Sequence, residues 1–389
     1  MIEEGRAVTR AGLLDRANAI ASRLPREPLT IQLPNSSEFV ATFLAALKLD
    51  LVVIPIDRDA AAPEVAAVRA AFKPPFPEGT RLIKVTSGST GKPKGIFTSE
   101  ANLIADCENI CTTMGITPDD VNLGAIPFSH SYGFSNLVMP LILQGTAVVA
   151  TNAYLPQSLV DLANEHRCTV APLIPMVFDH LATAAHGQFE TVRTFISAGA
   201  PLSASTSRRF RERFGIDIHS FYGCSETGGI TYDRAGGAAE RGTVGSAMEG
   251  VELSIDHGRL MVRSESAVGG SFVTDDLVAM NDEGELVLTG RASDLINTAG
   301  KKVNPREVEA VILQIDGVRE AKVYGEAAGA RGEVVAAAVV ATPDVTREKV
   351  REFCRARLSL HKVPRIVKLI DAMPVDERGK IKRAALAAM

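Results

Sequence analysis

The chain has 389 residues, 46% of them hydrophobic and 23% charged, with a formal net charge of −4. That length exceeds what one hydrophobic core organises and predicts two or more ordinary globular domains. The near-balanced charge excludes the global footprint of a nucleic-acid or anionic-membrane binder, no apolar run reaches the ~18 residues of a membrane span, and no secretory h-region follows the charged N-terminus, so a cytoplasmic protein is expected.

The first elements alternate: helix over residues 12–24, strand over 29–33, helix over 37–47, strand over 51–56. Pro34, Asn35 and Ser36 break the pattern, and Ser36 or Ser37 can cap the second helix. Such alternation predicts a parallel α/β layer. Residues 57–86 read as a short connection containing Pro74, Pro75 and Pro77. An apolar strand over 82–85 then enters Thr86-Ser87-Gly88-Ser89-Thr90-Gly91-Lys92-Pro93-Lys94-Gly95, with four hydroxyls, three glycines and two lysines. This loop can turn backbone N–H groups, rotatable hydroxyls and two ammonium groups towards a polyphosphate. It is not a Walker loop: only two residues separate Gly88 from Gly91, and Pro93 follows Lys92.

A helix is predicted over 100–114 with Ser99 as its cap. Its stripe of Leu103, Cys107, Ile110, Cys111 and Met114 makes the two cysteines core residues rather than half a metal site. The five cysteines are odd in number and scattered, which fits a reducing compartment. An apolar segment over 123–128, a helical stretch over 134–143, a strand over 146–151 and a helix over 155–166 continue the α/β pattern. From Thr243 short alternating runs replace it, with turns at His257-Gly258 and Asp282-Glu283-Gly284, and these read as antiparallel strands. A small α+β block closes the chain: helix 305–315, strands 318–324 and 333–341, helix 347–358.

Further motifs follow the hydroxyl-rich loop in a fixed order. They are Ile126-Pro127-Phe128-Ser129-His130-Ser131-Tyr132-Gly133, Ser197-Ala198-Gly199-Ala200-Pro201, Phe221-Tyr222-Gly223-Cys224-Ser225-Glu226-Thr227-Gly228 and Thr274-Asp275-Asp276. Then come Gly290-Arg291-Ala292-Ser293-Asp294, Gly300, the run from Val303 through Glu309, and Pro374-Val375-Asp376-Glu377-Arg378-Gly379-Lys380-Ile381. In this order they resemble the adenylate-forming superfamily of acyl-CoA synthetases, aryl-acid ligases, luciferases and peptide-synthetase adenylation domains. The resemblance runs from Thr86 to the C-terminus and more weakly over residues 12–57.

The resemblance implies an α/β protein: a large N-terminal ATP- and acyl-binding domain (residues 1–290) of parallel α/β layers with a small β-barrel-like part, a hinge (291–294) and a mobile α+β lid (295–389). Thr86, Ser87, Gly88, Ser89, Thr90, Gly91, Lys92 and Lys94 would take the phosphates. Tyr222 would stack on adenine with Gly199, Ala200 and Pro201 on its other side, beside Gly223 and Ser225. Glu226 would bind Mg2+, which commonly takes one or two carboxylates with phosphate oxygens. Asp276 and Arg291 would hold the ribose, His130 would lie between acyl carboxylate and phosphates, and Lys380 would stabilise charge as the carboxylate attacks the α-phosphate. Ser293 corresponds to the hinge, and Gly300, Lys301 and Lys302 would meet CoA.

Read as single residues these assignments have plain alternatives: a core histidine at 130, a solvated turn glutamate at 226, a surface ion pair between 276 and 291, a solvated lysine at 380. The expected activity is ATP-dependent joining of a carboxylic acid to CoA, with a carrier-loading ligase or a non-catalytic adenylate binder as alternatives. Absence of an aspartate in residues 127–134 argues against an amino-acid substrate, whose buried ammonium would need a partner. Three departures from the family pattern stand out: the short 57–86 segment, Asp275 where glycine is usual, and Ser293 at the hinge.

Overall fold

The computed structural model describes residues 1–3, 5–87, 93–298, 301–327, 333–374 and 386. The chain forms two compact units. The first comprises Met1–Ser254, Met261–Val273 and Met280–Val287; the second comprises Ile255–Leu260, Thr274–Ala279 and Leu288–Met389.

The first unit opens with β1 (Ile2–Glu3), β2 (Arg6–Ala7) and α1 (Arg10–Ala21). A smaller sheet follows, built from β3 (Leu29–Ile31), α2 (Ser37–Lys48), β4 (Val53–Pro55), α3 (Ala62–Ala71), β5 (Thr80–Ser87) and β6 (Pro93–Ser99). The first three of these strands run parallel and β6 returns antiparallel to β5. Ser36 caps α2, accepting from the Phe39 N–H. Residues 57–86, expected to be a bare connection, contain α3, whose Pro63 and Glu64 suit a first helical turn. Val65, Val68 and Phe72 bury that helix against Ile54, Ile56 and Ile83.

Next come α4 (Glu100–Met114), β7 (Val121–Gly124), α5 (Ser131–Gly133), a π-helical turn (Phe134–Val138) and α6 (Met139–Leu143). Ser99 and Asn102 cap α4 reciprocally, and Leu103, Cys107, Ile110, Cys111 and Met114 are buried as expected. A second sheet then grows from β8 (Ala147–Ala150), α7 (Pro156–Glu165), β9 (Val170–Leu173), α8 (Pro175–Ala184), β10 (Thr194–Ser197), α9 (Ala204–Phe214), β11 (Ile218–Cys224), β12 (Gly228–Tyr232), α10 (Ala238–Arg241) and β13 (Ser246–Ala247). Its order is β13-β12-β11-β10-β9-β7-β8-β1-β2. Strand β7 lies between β8 and β9, so the order reverses direction there; in parallel sheets such a switch point, at the carboxyl ends of the strands, is where ligands bind. Phe178, Phe195, Phe210, Leu159 and Leu181 form the adjoining core.

Strands β14 (Glu252–Asp256), β15 (Arg259–Arg263), β16 (Ser271–Met280) and β17 (Leu286–Arg291) form a four-stranded sheet whose residues are divided between the units. The second unit continues with β18 (Ile296–Thr298), β19 (Lys301–Val303), α11 (Pro305–Ile312), β20 (Val318–Ala327), β21 (Glu333–Ala341), α12 (Arg347–Arg355) and β22 (Ile366–Leu369). Strand β21 pairs antiparallel with β20 and parallel with β22, and Val308, Ile312, Val323, Val335, Val339 and Val350 fill its core. No described helix is long and apolar enough to cross a membrane.

Candidate active site

Within the first unit, strands β5 and β6 set Thr86 directly opposite Lys94. Ser87 ends β5, while Gly88, Ser89, Thr90, Gly91 and Lys92 lie outside the described residues. The hairpin packs so closely on α3 that a Cβ at Gly95 would collide with the Phe72 ring and Ile83. The helix in the shortened segment therefore supports this hairpin from behind.

The β11–β12 hairpin carries the second group of residues. Its register shifts between Tyr222 and Gly223, a bulge that re-aims the following side chains. A Cβ at Gly223 would strike the Gly228 carbonyl, so only glycine allows the two strands to close there. From this turn Glu226 reaches Lys94, with Oε1 and Nζ 2.9 Å apart. The Glu226 side chain is 20% exposed and that of Lys94 60%, so the lysine is the partner more open to solvent. Beside it the Ser225 hydroxyl lies 3.1 Å from that of Ser131. Three motifs far apart in sequence thus meet.

His130 follows β7 at the switch point. It is exposed, which removes the reading of a satisfied core histidine. Its Nδ1 accepts from the Tyr132 N–H at 3.2 Å, capping α5 and leaving the ring proton on Nε2 in the neutral form. The preceding turn is pinned by Asn35, a residue that sequence reasoning read only as a break. Its amide donates to the carbonyls of Gly124, Ile126 and Thr151, and its oxygen accepts from the Phe128 N–H at 2.8 Å. Tyr132 and Phe134, which follow His130, are interior. The Tyr132 phenol donates to the Ile196 carbonyl at 2.9 Å, burial pushing its pKa up, and Phe134 meets the edge of Phe43 at 4.9 Å.

Strands β10 and β11 run parallel with Ser197 opposite Ser220. Gly199 and Tyr222 each lie two residues further on, at the carboxyl ends of neighbouring strands. Gly199 takes φ +84, a turn that suits glycine, and Gly199, Ala200 and Pro201 are exposed while Tyr222 is half-buried. A flat ring beside an exposed backbone loop can receive a base.

The second unit holds the other expected groups. Arg291 Nε lies 3.0 Å from Asp276 Oδ1. Burial works against the arginine's charge, yet Asp276 and its neighbours hold its pKa above the usual value. The two departures at 275 and 293 prove to be partners: the Ser293 N–H and hydroxyl both donate to the Asp275 carboxylate. Lys301 and Lys302 are exposed on β19. Gly300 and Lys380 lie outside the described residues.

Among the described residues no group of three or more His, Cys, Asp or Glu side chains converges as a metal cage. A single carboxylate such as Glu226 fits Mg2+ that takes its other ligands from phosphate oxygens and water.

Residues 70–290 match the family model of AMP-binding enzymes, and residues 307–380 match the C-terminal domain of AMP-binding enzymes. A sulfoacetate–CoA ligase of Cupriavidus necator is 27% identical over 367 residues, covering 86% of this chain and 70% of that protein. A 2-succinylbenzoate–CoA ligase of Listeria monocytogenes is 26% identical over 323 residues, covering 78% of this chain and 69% of its own length. Against three of the curated relatives it matches, the chain spans 62%, 70% and 65% of their length. Among solved structures, ATP-bound MatB from Rhodopseudomonas palustris superposes with a TM-score of 0.83 at 24% identity, covering 100% of this chain and 95% of that one. The o-succinylbenzoate CoA synthetase of Bacillus subtilis with its acyl-adenylate gives 0.82 at 23% identity, covering 99% and 94%.

Proposed function

From the premise that the chain belongs to the AMP-binding enzyme family, we propose that it is a carboxylic acid–CoA ligase forming AMP. A carboxylate oxygen attacks the α-phosphorus of ATP; the bond to the bridging oxygen breaks, and pyrophosphate leaves with that electron pair. The CoA thiol, giving up its proton, then attacks the acyl carbon, and AMP departs as a thioester forms. The observation that carries this reading is the meeting of Lys94, Glu226, Ser225 and Ser131 in one unit, next to the exposed His130.

In this reading the protein mainly positions groups and supplies fixed charge. The exposed loop 199–201 and Tyr222 receive the adenine. Mg2+, when bound, neutralises phosphate charge, and Glu226 is the residue that would hold it. Lys94 would then leave Glu226 for a phosphate oxygen. Asp276 and Arg291 are assigned to the ribose, Ser293 to the hinge, Lys301 and Lys302 to CoA, and Lys380 to the charge developing at the α-phosphate. The exposed His130 is assigned to the place between the acyl carboxylate and the phosphates.

A panel of aliphatic and aryl acids should reveal acid-dependent ATP–pyrophosphate exchange, and the best acid should yield thioester with free CoA. Thioester only on a holo-carrier protein would make this a carrier-loading ligase. No exchange with any acid would leave an adenylate-binding protein without turnover.

Lys94→Gln tests the proposed exchange of partners. It should raise the KM for MgATP about tenfold, the scale of one charge-assisted hydrogen bond, with kcat nearly unchanged. An unaltered KM in exchange assays would show that Lys94 does not engage the nucleotide.

A further inference from the structure

Helix α4 directly follows β6, the strand that bears Lys94, and it has a polar face as well as its apolar one. Asn102 and Asp106 lie four residues apart, one turn along the same side. Asp106 is 2% exposed. Its Oδ1 accepts from the Gly229 N–H at 2.9 Å, and its Oδ2 accepts from the Ser135 hydroxyl at 2.6 Å. Gly228 has φ +75 and approaches so closely that a Cβ there would collide with the Asp106 carboxylate.

Asn102 holds the other flank of the same turn through an intermediary. Its amide donates to the carbonyls of Glu265 and Ala267, at 2.7 and 3.1 Å. That segment in turn grips the residues around Glu226: the Val268 N–H donates to the Glu226 carbonyl at 3.0 Å, and the Ser266 hydroxyl to the Thr227 carbonyl at 2.7 Å. One helix therefore fixes the Glu226 turn on both sides, directly at Gly229 and indirectly at Glu226 and Thr227. Because the same helix is continuous with the Lys94 strand, it acts as a spacer between the phosphate hairpin and the carboxylate.

We propose that Asp106 is a positioning residue for nucleotide-bound Mg2+, holding Glu226 at the distance from the phosphate hairpin at which a single carboxylate can share a cation with a bound triphosphate. The proposal rests on one part of the ligase reading above, the binding of ATP with Mg2+ at Glu226. A buried carboxylate that receives two hydrogen bonds is costly to remove but not costly to imitate, since an amide keeps one acceptor oxygen for Gly229, and the Ser135 hydroxyl can turn to accept.

The test compares the full chain with its Asp106→Ala and Asp106→Asn variants. The reading is the Mg2+ concentration giving half-maximal ATP–pyrophosphate exchange, with thermal unfolding recorded in parallel. Asp106→Ala should raise that concentration at least tenfold while the rate at saturating Mg2+ stays within about threefold; Asp106→Asn should return it to within about threefold of wild type. A residue that served stability alone would lower the unfolding midpoint and leave the Mg2+ dependence unmoved, which would overturn the proposal, as would an asparagine variant no better than alanine. If Asp106→Ala does not fold, Ser135→Ala decides, since it loosens the carboxylate and should shift the Mg2+ requirement about threefold in the same direction; no shift would overturn the proposal. Wild-type inactivity on the whole acid panel would defeat the ligase reading and not this one. The comparison is then made by calorimetric titration of ATP at graded Mg2+, where the same shifts in Mg2+ requirement are expected and their absence counts against Asp106.

Discussion

Lys380→Ala is expected to slow acid-dependent ATP–pyrophosphate exchange by ~10²- to 10³-fold while leaving ATP binding nearly intact, the loss typical of one pre-placed transition-state donor. The reasoning is electrostatic. As a carboxylate attacks the α-phosphate, negative charge shifts towards the transferring group and its leaving pyrophosphate. A fixed ammonium beside those oxygens is worth more in that transition state than in the ground state, so its removal lowers the rate more than the affinity. Ground-state binding would still rest on Lys94, Tyr222, Glu226 and the 199–201 loop. Lys380→Arg should recover little, because a planar guanidinium does not reproduce a compact point charge. Exchange rates and calorimetric ATP affinity measured on the same preparations check this. Unchanged exchange in Lys380→Ala would remove the lysine from the adenylation step.

How much of this was legible beforehand depends on how local each signal is. The α4 N-cap was readable because Ser99 directly precedes the apolar stripe, whereas the reciprocal bond from Asn102 and the C-cap Gly115, at φ +64, come from the structure. The strand entering the hydroxyl-rich loop was readable from a short apolar run, but β6, which carries Lys94, was read as loop because Pro93 and Gly95 are poor strand signals. The pairing of Lys94 with Glu226 was not, since 132 residues separate them and no periodicity links them. Asn35 and Asp106 escaped notice for the same reason: the partner of Asn35 at Phe128 lies 93 positions away, and those of Asp106 at Ser135 and Gly229 lie 29 and 123 away. Helix α3 was masked by the prolines that follow it, although its alanines favour a helix. Asp275 and Ser293 looked like two separate weakenings of a family pattern. Placed together they are partners: the Ser293 N–H and hydroxyl both donate to the Asp275 carboxylate.

Gly133→Ala should give the largest loss of stability among substitutions near the site, on the order of 3 kcal/mol, as for forcing an atom into a filled interior. Gly133 has φ −66 and ψ −37, ordinary right-handed helical values, so alanine would suffer no backbone strain and would by propensity favour the turn. The cost is purely steric. An added Cβ would fall on the carbonyl of Pro127 and against that of Ile126. These are backbone atoms, and they cannot retreat: Asn35 holds the Ile126 carbonyl and the Phe128 N–H on either side of Pro127. The turn bearing His130 must therefore move instead. The unfolding midpoint should fall by roughly 5–10 °C, and exchange measured well below it should drop further than the folded fraction explains. Gly12→Ala is the control, a helical position with no atom closer than 3.4 Å to the new Cβ, and it should be neutral or mildly stabilising. A Gly133→Ala protein that unfolds with the wild-type midpoint would show that the His130 turn is not clamped between α5 and Asn35.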